Sequence, residues 1–321
     1  MQEYYIAFWN LENLFDVENS SQRPQWLQEE LARELRGWDE SVLELKVEQL
    51  ARIIRQMNGG RGPDMLCVCE LENKPVLERL LGKLLSLGRT YDIAHHDTSD
   101  QRGIDVAFIY DRALFSAHEQ FSHVILKRAA TRDMFQVNFK TAQNKLLILV
   151  GNHWPSRSGG QYESEPYRMT AAETLSYWAH RILEIQGRHT AIIFMGDFND
   201  EPFNRAVTDY ALAGSNLQKV LNADVPRLVN LMWKFHGEGI GTHYFNNFPN
   251  VLDQFWLSRG LFMPAGDFAL VQNSVAIERF PEMVATGMYP RPRRFSRPSA
   301  GDYDPTGYSD HFPISVRILE K

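Results

Sequence analysis

Acidic, amide and imidazole side chains recur in one setting along this sequence: beside a short apolar run. Asn10 follows YYIAFW, Glu70 follows MLCVC, His153 follows LILVGN, and Asp197 and Asn199 follow AIIFMG. Asp310 and His311 stand just before FPISV. The end of a buried strand is a rigid place from which to hang a ligand or a base over a cleft. Singly, each has an ordinary explanation, since Asn forms turns and Glu is usually solvated. Together they are a set with chemistry. Glu70, Asp197, Asp310 and Asn10 offer hard oxygen atoms suited to magnesium or manganese. His153 and His311 are of the type that moves protons near neutrality. Asp253, in NVLDQFW, could fix the tautomer of one of them, as a carboxylate does for a catalytic imidazole. Carboxylates, an amide and two histidines without a thiolate fit metal-assisted hydrolysis of a phosphoester. Zinc fits less well: the sequence has no H-E-x-x-H, and Cys67 and Cys69, two apart in MLCVC, read as core thiols in a reducing compartment.

The elements that must position this set are short. Strands are expected at Tyr4–Trp9, Met65–Cys69, Ile104–Tyr110, Val124–Lys127, Phe135–Phe139, Leu146–Val150, Ala191–Met195, Asp253–Ser258 and Phe312–Ile318. Apolar periodicity predicts helices over Val42–Met57, stopped by Asn58-Gly59-Gly60, over about Pro75–Leu87, and over about Glu165–Ile185. Strands and helices mix without strict alternation, which favours an α+β layered fold with largely antiparallel sheets. No repeat or linker breaks the chain, so a single domain over 1–321 is expected. Hydrophobic residues at 44% and charged residues at 23% are those of a globular protein. Lys and Arg number 34 against 40 Asp and Glu, a net charge of −6, so no broad basic field exists to hold nucleic acid by bulk electrostatics. No apolar run approaches the roughly 20 residues of a membrane helix. The start, MQEYYIAFWN, lacks a signal peptide, and a cytoplasmic location is expected.

The pieces FWNLEN, CVCELEN, GIDVAFIY, TRD, NHWPS, MGDFND, VLDQFWLS and YSDHFPISV, in that order from Phe8 to Val316, resemble the endonuclease/exonuclease/phosphatase superfamily. GDFND and SDHFP are its most specific pair. The resemblance implies a deoxyribonuclease I-like fold, a four-layer α/β/β/α sandwich with the site at one edge of two facing sheets. It implies a metal-dependent phosphoesterase using Mg2+, with Mn2+ as a substitute. By position, Glu70 matches the principal metal-binding glutamate, and Asn10 and Glu12 match the first metal motif. Asp310 matches a residue that binds metal or steadies the site. Asp197 and Asn199 match the pair that positions the nucleophile and contacts phosphate. His311 matches the general base, Asp253 its carboxylate partner, and His153 the second histidine. Arg132 sits where the nuclease has an arginine facing phosphate. Ser156 and Arg157, after His153, are candidates for binding a substrate phosphate. Asp105 stands near the place of the carboxylate that pairs with the His153-type histidine, one residue out of register.

The resulting expectation is a phosphodiester hydrolase, with a nuclease as first reading. The alternative is a phosphatase or phosphodiesterase for a small molecule or lipid headgroup. A phosphoester substrate, DNA or RNA among the candidates, is the expected partner, and no protein partner is implied. Arg291, Arg293, Arg294 and Arg297, with Tyr289 and Phe295, form the main basic and aromatic cluster. They read either as a grip on a nucleic-acid backbone or as a solvated loop.

Overall fold

The structure is a computed structural model that describes residues 1–128 and 130–321. Its first sheet contains β1 (Gln2–Leu14), β2 (Met65–Leu71), β3 (Tyr91–His95), β4 (Asp105–Asp111), β14 (Phe268–Leu270), β15 (Ala276–Ile277) and β16 (Ile314–Glu320). Their order is β14-β16-β1-β2-β4-β3, with β15 also on β16. The second sheet contains β5 (Phe115–His123), β6 (Met134–Thr141), β7 (Leu146–His153), β8 (Ala191–Asp197), β9 (Ala213–Gly214), β10 (Leu228–Asn230) and β13 (Asp253–Leu257). These run in the order β5-β6-β7-β8-β13-β10-β9. A separate hairpin pairs β11 (His243–Phe245) with β12 (Phe248–Asn250).

Side-chain alternation builds the layers. On β1, Tyr4, Ile6 and Phe8 point into a core shared with Val137, Leu149, Ile193, Met195 and Phe255 of the second sheet. Tyr5, Ala7 and Trp9 point the other way, onto Leu43, Val47, Leu50 and Leu77. Those residues belong to the flanking helices α2 (Glu40–Gly60) and α3 (Lys74–Lys83), which follow a short α1 (Gln25–Leu31). On the outer face of the second sheet, Ile148, Val150, Ile192 and Phe194 meet Ala171, Ala172 and Leu175 of α4 (Gln161–Gln186). The result is the expected α/β/β/α sandwich. Asp39 caps α2 by accepting from the Ser41 and Val42 amides, and the helical geometry stops where Asn58 and Gly59 turn left-handed. No helix among the described residues is long and apolar enough to cross a membrane.

The strand expected at Val124–Lys127 is a correction. That stretch is irregular, with Val124 58% and Leu126 81% exposed. The strand is instead the preceding, more polar β5, at the edge of its sheet, where one side faces solvent and the sequence loses its apolar signature. β1 also runs past Asn10 to Leu14, because the chain kinks there and resumes pairing with Leu71.

Cys67 and Cys69 lie on the inner face of β2, fully buried and unpaired, and burial pushes both thiols well up. The native protein should therefore resist a thiol-specific chromogenic reagent and release two equivalents on denaturation. Fast labelling of the folded protein would contradict this burial.

Candidate active site

The inner face that carries the core also carries the site. On β7, β8 and β13 the residues facing the first sheet are Leu147 and Leu149, Ile193 and Met195, and Phe255 and Leu257. Continuing the alternation to the strand ends brings His153, Asp197 and Asp253 onto that same face. Pairing register puts them level: His153 is opposite Asp197, and Asp197 is opposite Asp253. The two sheets come close here. A Cβ on Gly151 would lie 2.5 Å from Val106 Cγ1 and 2.9 Å from Cys67 Sγ, so only glycine fits two residues before His153.

Glu70 reaches this row by a backbone irregularity. Alternation along β2 would send it to the helix side, with Leu66 and Val68. It instead takes φ +60°, and the β2–β4 register shifts between Cys69 and Leu71. This bulge re-aims the carboxylate. Glu70 Oε1 stands 3.6 Å from His153 Nε2, while Oε2 accepts from the Asn13 amide at 3.0 Å.

His311 enters from the first sheet. Its amide donates to Ser309 Oγ, and the Ser309 hydroxyl donates to the Asn10 carbonyl at 2.7 Å. The Trp9 indole donates to the His311 carbonyl at 2.8 Å. The imidazole then spans to the second sheet: Nδ1 meets Asp253 Oδ2 at 2.7 Å. Its Nε2 faces Asp197 Oδ2 at 4.0 Å and Asp310 Oδ1 at 3.9 Å. His153 Nε2 lies 3.8 Å from the same Asp197 oxygen. A continuous chain, Glu70–His153–Asp197–His311–Asp310, thus crosses the cleft.

Burial sets the protonation states, modified by neighbours. It would push His311 down, but the Asp253, Asp197 and Asp310 charges and the Asp253 hydrogen bond prevail and hold it well above the ordinary histidine range. Burial, then the Arg132, Arg102 and His311 charges, push His153 well below that range, so it is neutral. Its Nδ1 is buried without a partner among the described residues. Asp197 is pushed up to about 7, chiefly by burial. Burial opposes ionisation of Asp310, but His311, His243, Arg294 and Lys46 outweigh it and hold its carboxyl below the usual value.

The donor atoms fit a divalent cation. Asp197, Asp253 and His311 form one group whose ligand atoms lie within 4.8 Å of one another, and His243, Asp310 and His311 form another. The first, two carboxylates with one imidazole, suits a hard or borderline ion, and the second, two imidazoles with one carboxylate, a borderline one. Glu70 lies outside both groups, across His153.

Other expected residues are held differently. Glu12 does not face the cleft. Its oxygens accept from Arg294 Nε at 2.8 Å, the Phe295 amide at 2.8 Å and the Ser296 amide at 3.1 Å, with Lys46 Nζ at 3.8 Å. Its carboxylate is saturated because it clamps a distant segment to β1. Asn10 gives its oxygen to the Glu12 amide at 2.9 Å and turns its NH2 to Asp197 at 3.2 Å, so it meets the cluster as a donor. Asp105 pairs with His95 at 3.0 Å and accepts from Thr98, which takes it from His153. Asn199 takes a left-handed φ of 51°, donates its amide N–H to Asp197 and its NH2 to the Trp154 carbonyl. Arg132 is buried between Asp100 and the Trp154 carbonyl, its Nε unpartnered. Arg157 is drawn to Asp200, Asn204 and the Asn199 carbonyl, so it braces the Asp197–Asn199 turn. Ser156, exposed, accepts from the Ser158 amide.

The arginine cluster is largely spent within the chain. Arg293 pairs with Asp304, Arg294 with Glu12 and Asp302, and Arg297 with Glu34. Arg291 makes no ion pair among the described residues.

Three residues near the site lay outside the sequence reading. His243 packs at a 38° tilt against His311 with ring centres 4.8 Å apart, and burial pushes its pKa down to about 4. Lys46, fully buried, donates to the Tyr308 carbonyl at 2.6 Å. Its signal was available: it falls between Leu43 and Leu50, on the apolar face of α2. Arg102 donates to Asn13, beside Glu70.

Comparison with known proteins adds a family and a set of folds. The profile of the Endonuclease/Exonuclease/phosphatase family matches residues 5–321. No curated protein matches the chain. Among solved structures, an endonuclease/exonuclease/phosphatase family protein from Bacteroides thetaiotaomicron aligns with a TM-score of 0.57 at 15% identity, over 100% of this chain and 98% of that one. Truncated TDP2 from Caenorhabditis elegans gives 0.56 at 15%, over 99% and 97%. The human Nocturnin catalytic domain with bound sulfate gives 0.54 at 15%, over 99% and 95%.

Proposed function

Since the chain belongs to the endonuclease/exonuclease/phosphatase family, we propose that it is a divalent-metal-dependent phosphodiester hydrolase, with a nucleic acid or nucleotide diester as substrate. The observation that carries this reading is the His311–Asp253 pair at 2.7 Å, with the free Nε2 aimed at Asp197 and Asp310. Asp253 fixes the tautomer and orientation of the ring. His311 Nε2 serves as a base only in the neutral form, which the Asp253, Asp197 and Asp310 charges disfavour until a bound cation offsets them. In that form it takes a proton from the attacking water. The water oxygen bonds to phosphorus as the bond to the leaving oxygen breaks, and that oxygen takes up a proton from a second water, while the proton on His311 passes to solvent. Neutral His153 and the Asn10 NH2 stand as hydrogen-bond donors toward the phosphate oxygens, and Asn199 shapes the turn beside them. Asp197 and Asp310, one in each of the two groups of donor atoms, are the residues that would hold Mg2+ or Mn2+, with Glu70, outside both groups, reaching such an ion through water; when bound the ion stabilises charge developing on phosphate.

A second reading, a small-molecule or lipid-headgroup phosphoester, is favoured by the pairing of the rim arginines and the net charge of −6. The direct test is hydrolysis of bis-p-nitrophenyl phosphate beside p-nitrophenyl phosphate with Mg2+, Mn2+ or EDTA. Metal-dependent diester cleavage abolished by EDTA is expected. Cleavage of the monoester alone, or activity indifferent to EDTA, would overturn the proposal.

A further inference from the structure

The β11–β12 hairpin belongs to neither large sheet. Its root is part of the candidate site: His243 forms an isolated β-bridge with His311 and packs at a tilt against its ring. Opposite His243, Asn250 faces Arg157 at 3.5 Å. At the tip, Asn246 and Asn247 both take left-handed backbone, φ 48° and 68°, making a tight two-residue turn that asparagine tolerates. That turn sets the register and places Phe245 directly opposite Phe248.

Alternation puts His243, Phe245, Phe248 and Asn250 on one face of the hairpin. Tyr244, on the other face, packs edge-on to Phe312 at 6.4 Å. The face that meets His311 at the root therefore carries two phenylalanines one residue pair further out, roughly 7 Å along the strands. They are 66% and 73% exposed, which is unusual for two large apolar rings placed side by side.

We propose that Phe245 and Phe248 form a stacking platform for an unpaired nucleobase attached to the scissile phosphate. The proposal rests on the diester-hydrolase reading and narrows it to single-stranded or nucleotide substrates. Three features select a base over an acyl chain. The rings are flat and exposed. Asn246 and Asn247, exposed at the turn between them, offer amides of the kind that suits a base edge. The offset from His311 matches the short reach from a phosphate to its own base. A paired base is already stacked in its duplex, so the platform selects single strands. It also supplies affinity that does not depend on charge, and Arg293, Arg294 and Arg297 are paired within the chain.

The test compares a single-stranded oligodeoxyadenylate, the same strand annealed to its complement, and an abasic tetrahydrofuran-phosphate polymer of equal length. The wild type should cleave the single strand with the highest kcat/KM. Replacing both phenylalanines by alanine (Phe245→Ala with Phe248→Ala) should lower that value by roughly 5- to 150-fold, mostly through KM. The preference for single strand over abasic polymer should collapse with it. Phe248→Trp should retain the preference, and a melting curve like that of the wild type shows that the variants fold. Equal kinetics of the double variant and the wild type on the single strand would overturn the platform while leaving the hydrolase intact. Wild-type cleavage of bis-p-nitrophenyl phosphate with none of the three polymers would overturn the nucleic-acid reading and the platform together. EDTA-insensitive cleavage would instead strike at the metal-dependent reading itself.

Discussion

His311→Ala should lower kcat for diester hydrolysis by about two to four orders of magnitude, the usual worth of a positioned proton transfer. The turn should keep its backbone bonds, but Asp253, fully buried, loses its imidazole partner, so a melting curve must accompany the kinetics. The bonds that hold this turn run through the backbone and its neighbours: the Trp9 indole to the His311 carbonyl, and the His311 amide to Ser309. Alanine keeps both. KM should move little, since the substrate's phosphate contacts lie with other groups. Asp253→Asn gives the sharper reading. If Asp253 works by holding the imidazole, its replacement should cost activity in the wild type and almost none in the His311→Ala background, because two groups that act as a unit are not additive. Independent, multiplying losses would mean that Asp253 serves a metal rather than His311. A His311→Ala enzyme within about threefold of wild type would remove the proposed base, whichever metal is present.

Much of this site was legible in the sequence because strand ends follow a simple rule. His153, Asp197 and Asp253 each continue the inward-facing parity of an apolar strand, the first two at its end and Asp253 at its start, so all three land on the cleft side. The mix of strands and helices pointed to a layered α+β fold, and the family resemblance to the four-layer sandwich; the structure builds those layers by alternation, with Tyr4, Ile6 and Phe8 facing one core and Tyr5, Ala7 and Trp9 the other. What parity could not reveal is what breaks it. Glu70 faces the cleft through a left-handed residue and a register shift, neither encoded by hydrophobicity. Asp105 stands within one residue of a matching position, yet His95 and Thr98 take it, because a loop of the same sheet offers the nearer donors. His243 comes to His311 through a short hairpin whose strands are too brief to show a pattern. The arginines near residue 293 look like a binding patch in sequence, and only the fold shows the acids that pair with them.

Glu12 separates two accounts of the first motif, and Glu12→Ala should cost about 3–5 kcal/mol of folding stability, as removal of one partner of a buried ion pair does. The carboxylate is 1% exposed and satisfies Arg294 and the Phe295 and Ser296 amides, with Lys46 alongside. Burial, and then the Asp310 charge, press its pKa up, while Lys46 and Arg294 act to keep it charged. Burial pushes Lys46 down to about 8, against the pull of Glu12 and Asp310. Removing the anion therefore leaves two cations and two amides short of an acceptor. Glu12→Gln keeps an oxygen for the amides and should lose less. Lys46→Met alone should also destabilise, since it strands the Tyr308 carbonyl as well as Glu12. Denaturant unfolding measures all three. The decisive companion is the metal concentration for half-maximal activity. A clamp predicts a large stability loss with that midpoint nearly unchanged in the fraction that stays folded. A metal ligand predicts the reverse: a midpoint shifted upward by tenfold or more and a modest change in unfolding. The saturated carboxylate, turned to Arg294 rather than to the His153–Asp197–His311 row, favours the clamp.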